Sequence, residues 1–140
     1  VKFADQVTKH TETYRKRLRA TAREAVQDTV DIAQKMRGEG GRMRVETGFL
    51  RASIQAAIGY MPSGPTTNDE DQNYPEGTIV AGEAVSVTLL KWDPATEHLF
   101  VGWTANYARP REYNDGFLRG AVEQWPATVE AAAKRVKAQI

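Results

Sequence analysis

The sequence predicts an α+β fold: a small, mostly antiparallel sheet covered by a long N-terminal helix and a C-terminal helix. Three observations carry that expectation. No Pro or Gly interrupts the chain from Phe3 to Met36. Two short runs, Ile54–Tyr60 and Leu99–Trp103, have the alternating or β-branched and aromatic character of strands. From Leu118 to Ile140 the apolar residues return to helical spacing.

In the first segment Tyr14, Leu18, Ala22, Ala25, Thr29, Ile32 and Met36 recur at steps of three and four, which places them on one stripe. A helix over 1–37 is roughly 50 Å long at 1.5 Å per residue. That exceeds what a small domain covers, so part of it is expected to project toward a neighbour. Asp5 or Thr8 is the expected start cap, and Gly38, Gly40 and Gly41 the stop. Arg15, Arg19 and Arg23 share a face, with Lys16 and Arg17 between them. They offer contact with phosphate or an acidic surface, or simply a solvated face.

After the glycines comes Thr47-Gly48-Phe49-Leu50-Arg51-Ala52-Ser53-Ile54, then a strand with Ile54, Ala56, Ile58 and Tyr60 on one side. Residues 59–77 hold three prolines and the acidic run Asp69-Glu70-Asp71, and read as a flexible polar loop with little capacity to pack. Residues 78–92 fit either a strand (Val85, Val87, Leu89) or a helix with Val80, Ala84, Val87 and Leu90 inward; a short helix after Gly82 is expected. Asp93-Pro94 turns the chain into the strand Leu99–Trp103, and a helical turn is expected at Ala105–Ala108 before Pro110. In the last segment Leu118, Ala121, Val122, Trp125, Val129, Ala132, Val136 and Ile140 form the stripe, with a kink or fresh first turn at Pro126.

The chain of 140 residues reads as one domain, with 41% apolar and 26% charged residues. It has no cysteine, which excludes disulfide and thiol chemistry. No apolar run is long enough for a membrane span, and the N-terminus lacks a signal-peptide core, so assembly in a reducing cytoplasm is expected. Net charge is +1, but residues 1–44 carry 11 basic against 6 acidic residues, and residues 45–140 carry 8 against 12. Such a split lets copies attract one another head to tail, or lets one end face nucleic acid.

The residues of a catalytic or metal site do not assemble in the sequence. His10 and His98 are far apart and no metal-ligand spacing accompanies them. Asp69, Glu70 and Asp71 lack the glycine and ligand spacing of a calcium loop. Gly38-Glu39-Gly40-Gly41-Arg42 follows a helix rather than a strand and lacks the Lys-Ser/Thr ending of a phosphate loop. Ser53 sits in no nucleophile elbow. No enzyme and no cofactor are expected, and a carboxylate hydrolase using Glu97 or Glu112 has nothing in its favour.

Two phrases remain. The first is Thr47 to Ile54. The second runs from Val101-Gly102-Trp103 through Tyr107-Ala108 and Glu112-Tyr113 to Gly116-Phe117-Leu118. In content and order they resemble the tail-completion or neck family of long-tailed bacteriophages, typified by the gene-product-ten component of a lambdoid phage. The resemblance covers the chain by element order and two stretches by motif. Here Arg109-Pro110-Arg111 lengthens the step from Tyr-Ala to Glu-aromatic, and Asn114-Asp115 separates Tyr113 from Gly116. The resemblance implies a virion protein of the head–tail junction, forming a ring, of six copies by the family's habit. Its partners would be neck, connector and tail-tube proteins, with non-specific contact to DNA in the channel and none to membrane. Gly48, Leu50, Ile54, Gly102, Trp103, Tyr107, Gly116, Phe117 and Trp125 are then expected as fold determinants. Arg51 either pairs with Glu112 or reaches a neighbouring subunit. Arg15, Lys16, Arg19, Arg23 and the acidic run Asp69-Glu70-Asp71 are the expected interaction residues.

Overall fold

The computed structural model describes residues 2–45, 48–62, 73–80 and 82–140. Helix α1 spans Phe3–Ala33, α2 Phe49–Ala52, α3 Val85–Lys91, α4 Ala108–Asp115, α5 Phe117–Glu123 and α6 Trp125–Gln139. Strands β1 (Ile54–Ile58) and β2 (Leu99–Trp103) pair antiparallel, with Ile54 opposite Trp103 and Ile58 opposite Leu99. The fold is α+β, as its periodicities predict.

The core forms two apolar clusters. In the one on the sheet, Ile54 joins Val30, Val85, Leu89 and Trp92. In the other, Phe49, Leu50 and Phe117 join Ala33, Met43 and Ala121. Trp103 packs against both, meets Phe117 edge-on at 5.1 Å, and donates its indole N–H to Gln34 Oε1 at 3.0 Å. Burial of each large apolar side chain here contributes about 2 kcal/mol. Helices α1 and α6 pack antiparallel. Near one end Arg17 donates to the Ile140 carbonyl, and farther along Arg135 pairs with Asp28 and Glu24.

The structure corrects several boundaries and faces. Helix α1 ends at Ala33 rather than Met36, because Met36 turns extended and bridges Met43, which is fully buried. A 3-10 turn over Arg37–Glu39 follows, closed by Gly40 at φ 92°. At the other end Lys2 is the N-cap and offers no side-chain bond; Thr8 donates instead to the Ala4 carbonyl, so neither Thr8 nor Asp5 caps. Tyr60 lies beyond β1 and is exposed, since the strand stops at Ile58 and Gly59 turns at φ 88°.

Helix α3 forms where expected but presents another face: Val85, Thr88 and Leu89 are buried, while Val87 and Leu90 face out. Helix α4 starts at Ala108 and passes through Pro110 instead of ending before it. Pro110 is the third residue of that helix, where its missing N–H has no intrahelical acceptor to lose. The C-terminal segment breaks at Gln124, and Pro126 sits in the first turn of α6. The break re-registers the stripe. Thr128, Ala132 and Val136 are buried at steps of four, whereas Val122, Trp125 and Ile140 are exposed. Trp125 is therefore not a core anchor.

Candidate interaction surfaces

The two sequence phrases meet in the fold. Ser53 is buried and donates its hydroxyl to the Leu50 carbonyl at 2.7 Å. Its own carbonyl accepts both the backbone N–H and the hydroxyl of Thr104. Those two hydrogen bonds lock the end of α2 to the end of β2. Gly48, at φ 86°, precedes α2 in left-handed backbone; a Cβ there lies 2.1 Å from the Tyr74 carbonyl oxygen. Two independent constraints thus demand glycine at Gly48. Tyr74 also packs on Phe49 with ring centroids 5.3 Å apart, so the far end of the 59–77 segment is pinned to the core, contrary to the expectation of a loop that packs little. The expected contacts of Thr47, Asp69, Glu70 and Asp71 fall outside the described residues.

Leu50, Ile54 and Phe117 are core residues, and Tyr107 is half-buried beside Phe49, with ring centroids 6.1 Å apart. Gly116 takes φ 65° and links α4 to α5. Gly102 does not mark a close approach: in β2 it faces Gln55, and a Cβ there meets no atom within 4 Å.

Among the described residues no ion pair joins Arg51 to Glu112. Glu112 accepts the backbone N–H groups of Leu118 and Arg119 at 2.8 and 2.9 Å, so it caps the first turn of α5 across the Gly116 corner. Arg51 points instead into a groove with Asp31, Glu39 and Glu76. Glu97 is likewise engaged, accepting the Asp93 N–H at 2.8 Å. Glu97 and Glu112 therefore both serve backbone amides.

The basic face of α1 divides. Arg23 donates from Nε and Nη2 to the Trp92 carbonyl, and Arg19 pairs with Asp93 at 3.3 Å. These two hold α1 to the turn after α3. Asp93 is held below its ordinary pKa by the Ala95 backbone N–H first, then by the Thr96 hydroxyl and Arg19. Arg15 and Lys16 remain exposed. Every residue from Lys2 to Glu12 is exposed too, and Phe3 (79%), Val7, Tyr14 and Leu18 leave an apolar stripe uncovered. The stretch from Phe3 to Lys16 reaches about 20 Å beyond the point where α6 meets Arg17.

A second charged surface escaped the sequence reading. Asp115, with its side chain 1% exposed, accepts ion pairs from Arg37 Nη2 at 3.2 Å and Arg44 Nε at 3.3 Å, and Arg111 Nη1 stands 4.0 Å away. Arg42 and Arg119 lie against the same corner: a Cβ at Gly116 is 2.6 Å from Arg119 Nη2 and 3.3 Å from Arg42 Nη1, and one at Gly120 is 2.9 Å from the Arg42 guanidinium. The available signal was the pair Arg42 and Arg44 flanking the buried Met43, which sends both arginines to the side opposite the core.

Among the described residues no three His, Asp or Glu side chains cluster as a metal set, and no helix is long and apolar enough to cross a membrane. No family model, curated protein or solved structure matches this chain.

Proposed function

We propose that this chain is a structural virion protein of the head–tail junction of a phage or phage-derived particle. It forms a ring that completes or terminates the tail and joins it to the head connector. The observation that carries the reading is the projecting half of α1. A helix that keeps Phe3, Val7, Tyr14 and Leu18 in water holds an apolar stripe with no partner in its own fold. Between Lys2 and Arg19 that half bears six basic and two acidic residues, whereas the chain after residue 44 has an acidic excess. The occupant this favours is a second copy of the same chain, meeting the basic helix with its acidic side. Two unlike patches per copy give a heterologous contact, which closes into a ring.

The motif order described above supports the same class, and so does the use of Ser53, Glu97 and Glu112 for backbone bonds rather than for chemistry. The competing reading, nucleic-acid binding by Arg15, Lys16, Arg19 and Arg23, is weakened because Arg19 and Arg23 already hold the fold together. Native mass spectrometry of the purified protein, with imaging of particles from cells that make it, tests the proposal. Rings with a fixed copy number, six by the family's habit, and their presence on particles are expected. A free monomer at all concentrations that never associates with particles would sink it.

A further inference from the structure

The corner between α4 and α5 gathers more cations than its fold needs. Five guanidinium groups surround it: Arg37, Arg42 and Arg44 from the loop after α1, Arg111 from α4 and Arg119 from α5. Two carboxylates share the corner. Glu112 is already occupied by two backbone N–H groups, and Asp115 is buried beneath the arginines. Glu39, on the same loop, lines the Arg51 groove rather than this corner. The local balance is therefore three positive charges.

The structural share of the cluster is plain. Asp115 with Arg37 and Arg44 ties the 35–45 loop to the helix corner: the carboxylate is buried, and the two half-exposed guanidinium groups supply its counter-charge. Arg42 and Arg119 add nothing to that tie. Neither side chain makes an ion pair or hydrogen bond among the described residues, yet the Arg119 guanidinium lies over Gly116 and that of Arg42 over both Gly116 and Gly120, so close that a Cβ at either glycine would displace it. Arg111 is only loosely paired: it stands 4.0 Å from Asp115 Oδ2, which accepts no hydrogen bond. Like charges gathered so closely repel one another, and water alone screens them less well than a bound anion does. Guanidinium forks match the oxygens of phosphate with paired N–H bonds.

We propose that this arginine cluster binds the phosphate oxyanion, and that its source is the phosphodiester backbone of a nucleic acid. A polyanion is favoured over an acidic side chain because two carboxylates already share the corner and still leave it three charges positive; a backbone brings repeated charge at short intervals. Recognition is of phosphate alone, so it is independent of base sequence. The site lies away from the projecting half of α1 and works in a single copy, so it stands whether or not rings form.

The test measures binding of a fluorescent 20-base-pair DNA duplex to the full chain across a salt series, with the variants R42Q/R119Q, R119Q and R15Q/K16Q. Circular dichroism melts should be unchanged for the first two, since neither arginine has a partner to lose. R42Q/R119Q is expected to bind at least about tenfold more weakly, with the slope of log K against log salt reduced by about two. R119Q should show about half that change in slope, and R15Q/K16Q a smaller loss than R42Q/R119Q. A parallel arm adds inorganic phosphate at constant ionic strength. Competition with DNA supports a shared oxyanion site. A phosphate-induced rise in Tm that R42Q/R119Q abolishes, without DNA binding, keeps the site and assigns free phosphate as its source. Wild-type DNA affinity in R42Q/R119Q overturns the proposal. So does a protein that ignores DNA and phosphate but binds poly-glutamate, which would make the cluster a docking point for an acidic protein segment.

Discussion

The two halves of α1 are one continuous helix with two different fates. From Ala20 to Val30 every residue is at least half-buried, and Ala25 and Ala33 are wholly so. From Lys2 to Glu12 every residue is exposed, including Phe3 and Val7. Both halves carry an apolar stripe at helical spacing. In the inner half small residues let α5 and α6 approach on one side and α3 on another. In the outer half larger apolar residues stand without a partner. A stripe therefore states that a face will be covered, and not by what. The inner half is covered by its own chain, and the outer half is left exposed.

The sharpest way to break this contrast is to place one charge in each half. Ala33→Asp buries a carboxylate among Phe49, Leu50 and Phe117 and is expected to cost about 4 kcal/mol, enough to leave the chain largely unfolded in a thermal melt. Val7→Asp is expected to change stability by less than about 0.5 kcal/mol. Equal losses at the two positions would show that the outer half is covered in the monomer.

Next in size is Gly48→Val. Left-handed backbone and the 2.1 Å approach of the Tyr74 carbonyl act together, and a loss of about 3 kcal/mol is expected in denaturant titration. A wild-type midpoint would refute the tight corner before α2. The triple change Phe3→Ser, Val7→Ser and Tyr14→Ser should leave the melt within about 0.5 kcal/mol of wild type. It should nonetheless move the sedimentation profile from the proposed ring to monomer; rings that persist would mean that the stripe is not the contact.

The smallest effect lies at the boundary of the two halves. Arg19→Glu loses the Asp93 pair and should lower Tm slightly, because both partners are partly solvated. Asp93 has a folded-state pKa below its unfolded one. Its contribution is therefore present above roughly pH 4 and lost as pH falls through the depressed value. The Tm difference between wild type and Asp93→Asn should be visible at neutral pH and vanish in acid. A difference that persists unchanged at low pH would assign it to packing instead.

Local chemistry made much of the architecture legible. The uninterrupted first helix, both strands, the helix after Gly82 and the break near Pro126 follow from period, glycine and proline. Faces were harder to read. Leu90 fits a helical stripe as well as Leu89 does, and only the position of β1 and α1 makes Leu89 the buried one. Trp125 looked like an anchor until the break at Gln124 rotated the following turns. Of the residues expected to interact, Arg15 and Lys16 are exposed. Arg19 and Arg23 turn inward to a carboxylate and a carbonyl that lie some seventy residues away in the chain. Glu112 is engaged elsewhere, since the cap it makes depends on a corner formed by Gly116, and Arg51 lines a separate groove.

The sequence by itself determined the long first helix, the two strands and the last helix, because those choices rest on backbone propensity and on the spacing of apolar residues within a few turns. It also determined that Gly48 and Gly116 mark turns. Only the tertiary structure decided which stripe is covered by the chain itself and which is left over, and which of the many arginines meet at one corner. Those outcomes depend on where distant segments come to rest, and residues 37, 42, 44, 111 and 119 share no period that sequence spacing alone can reveal.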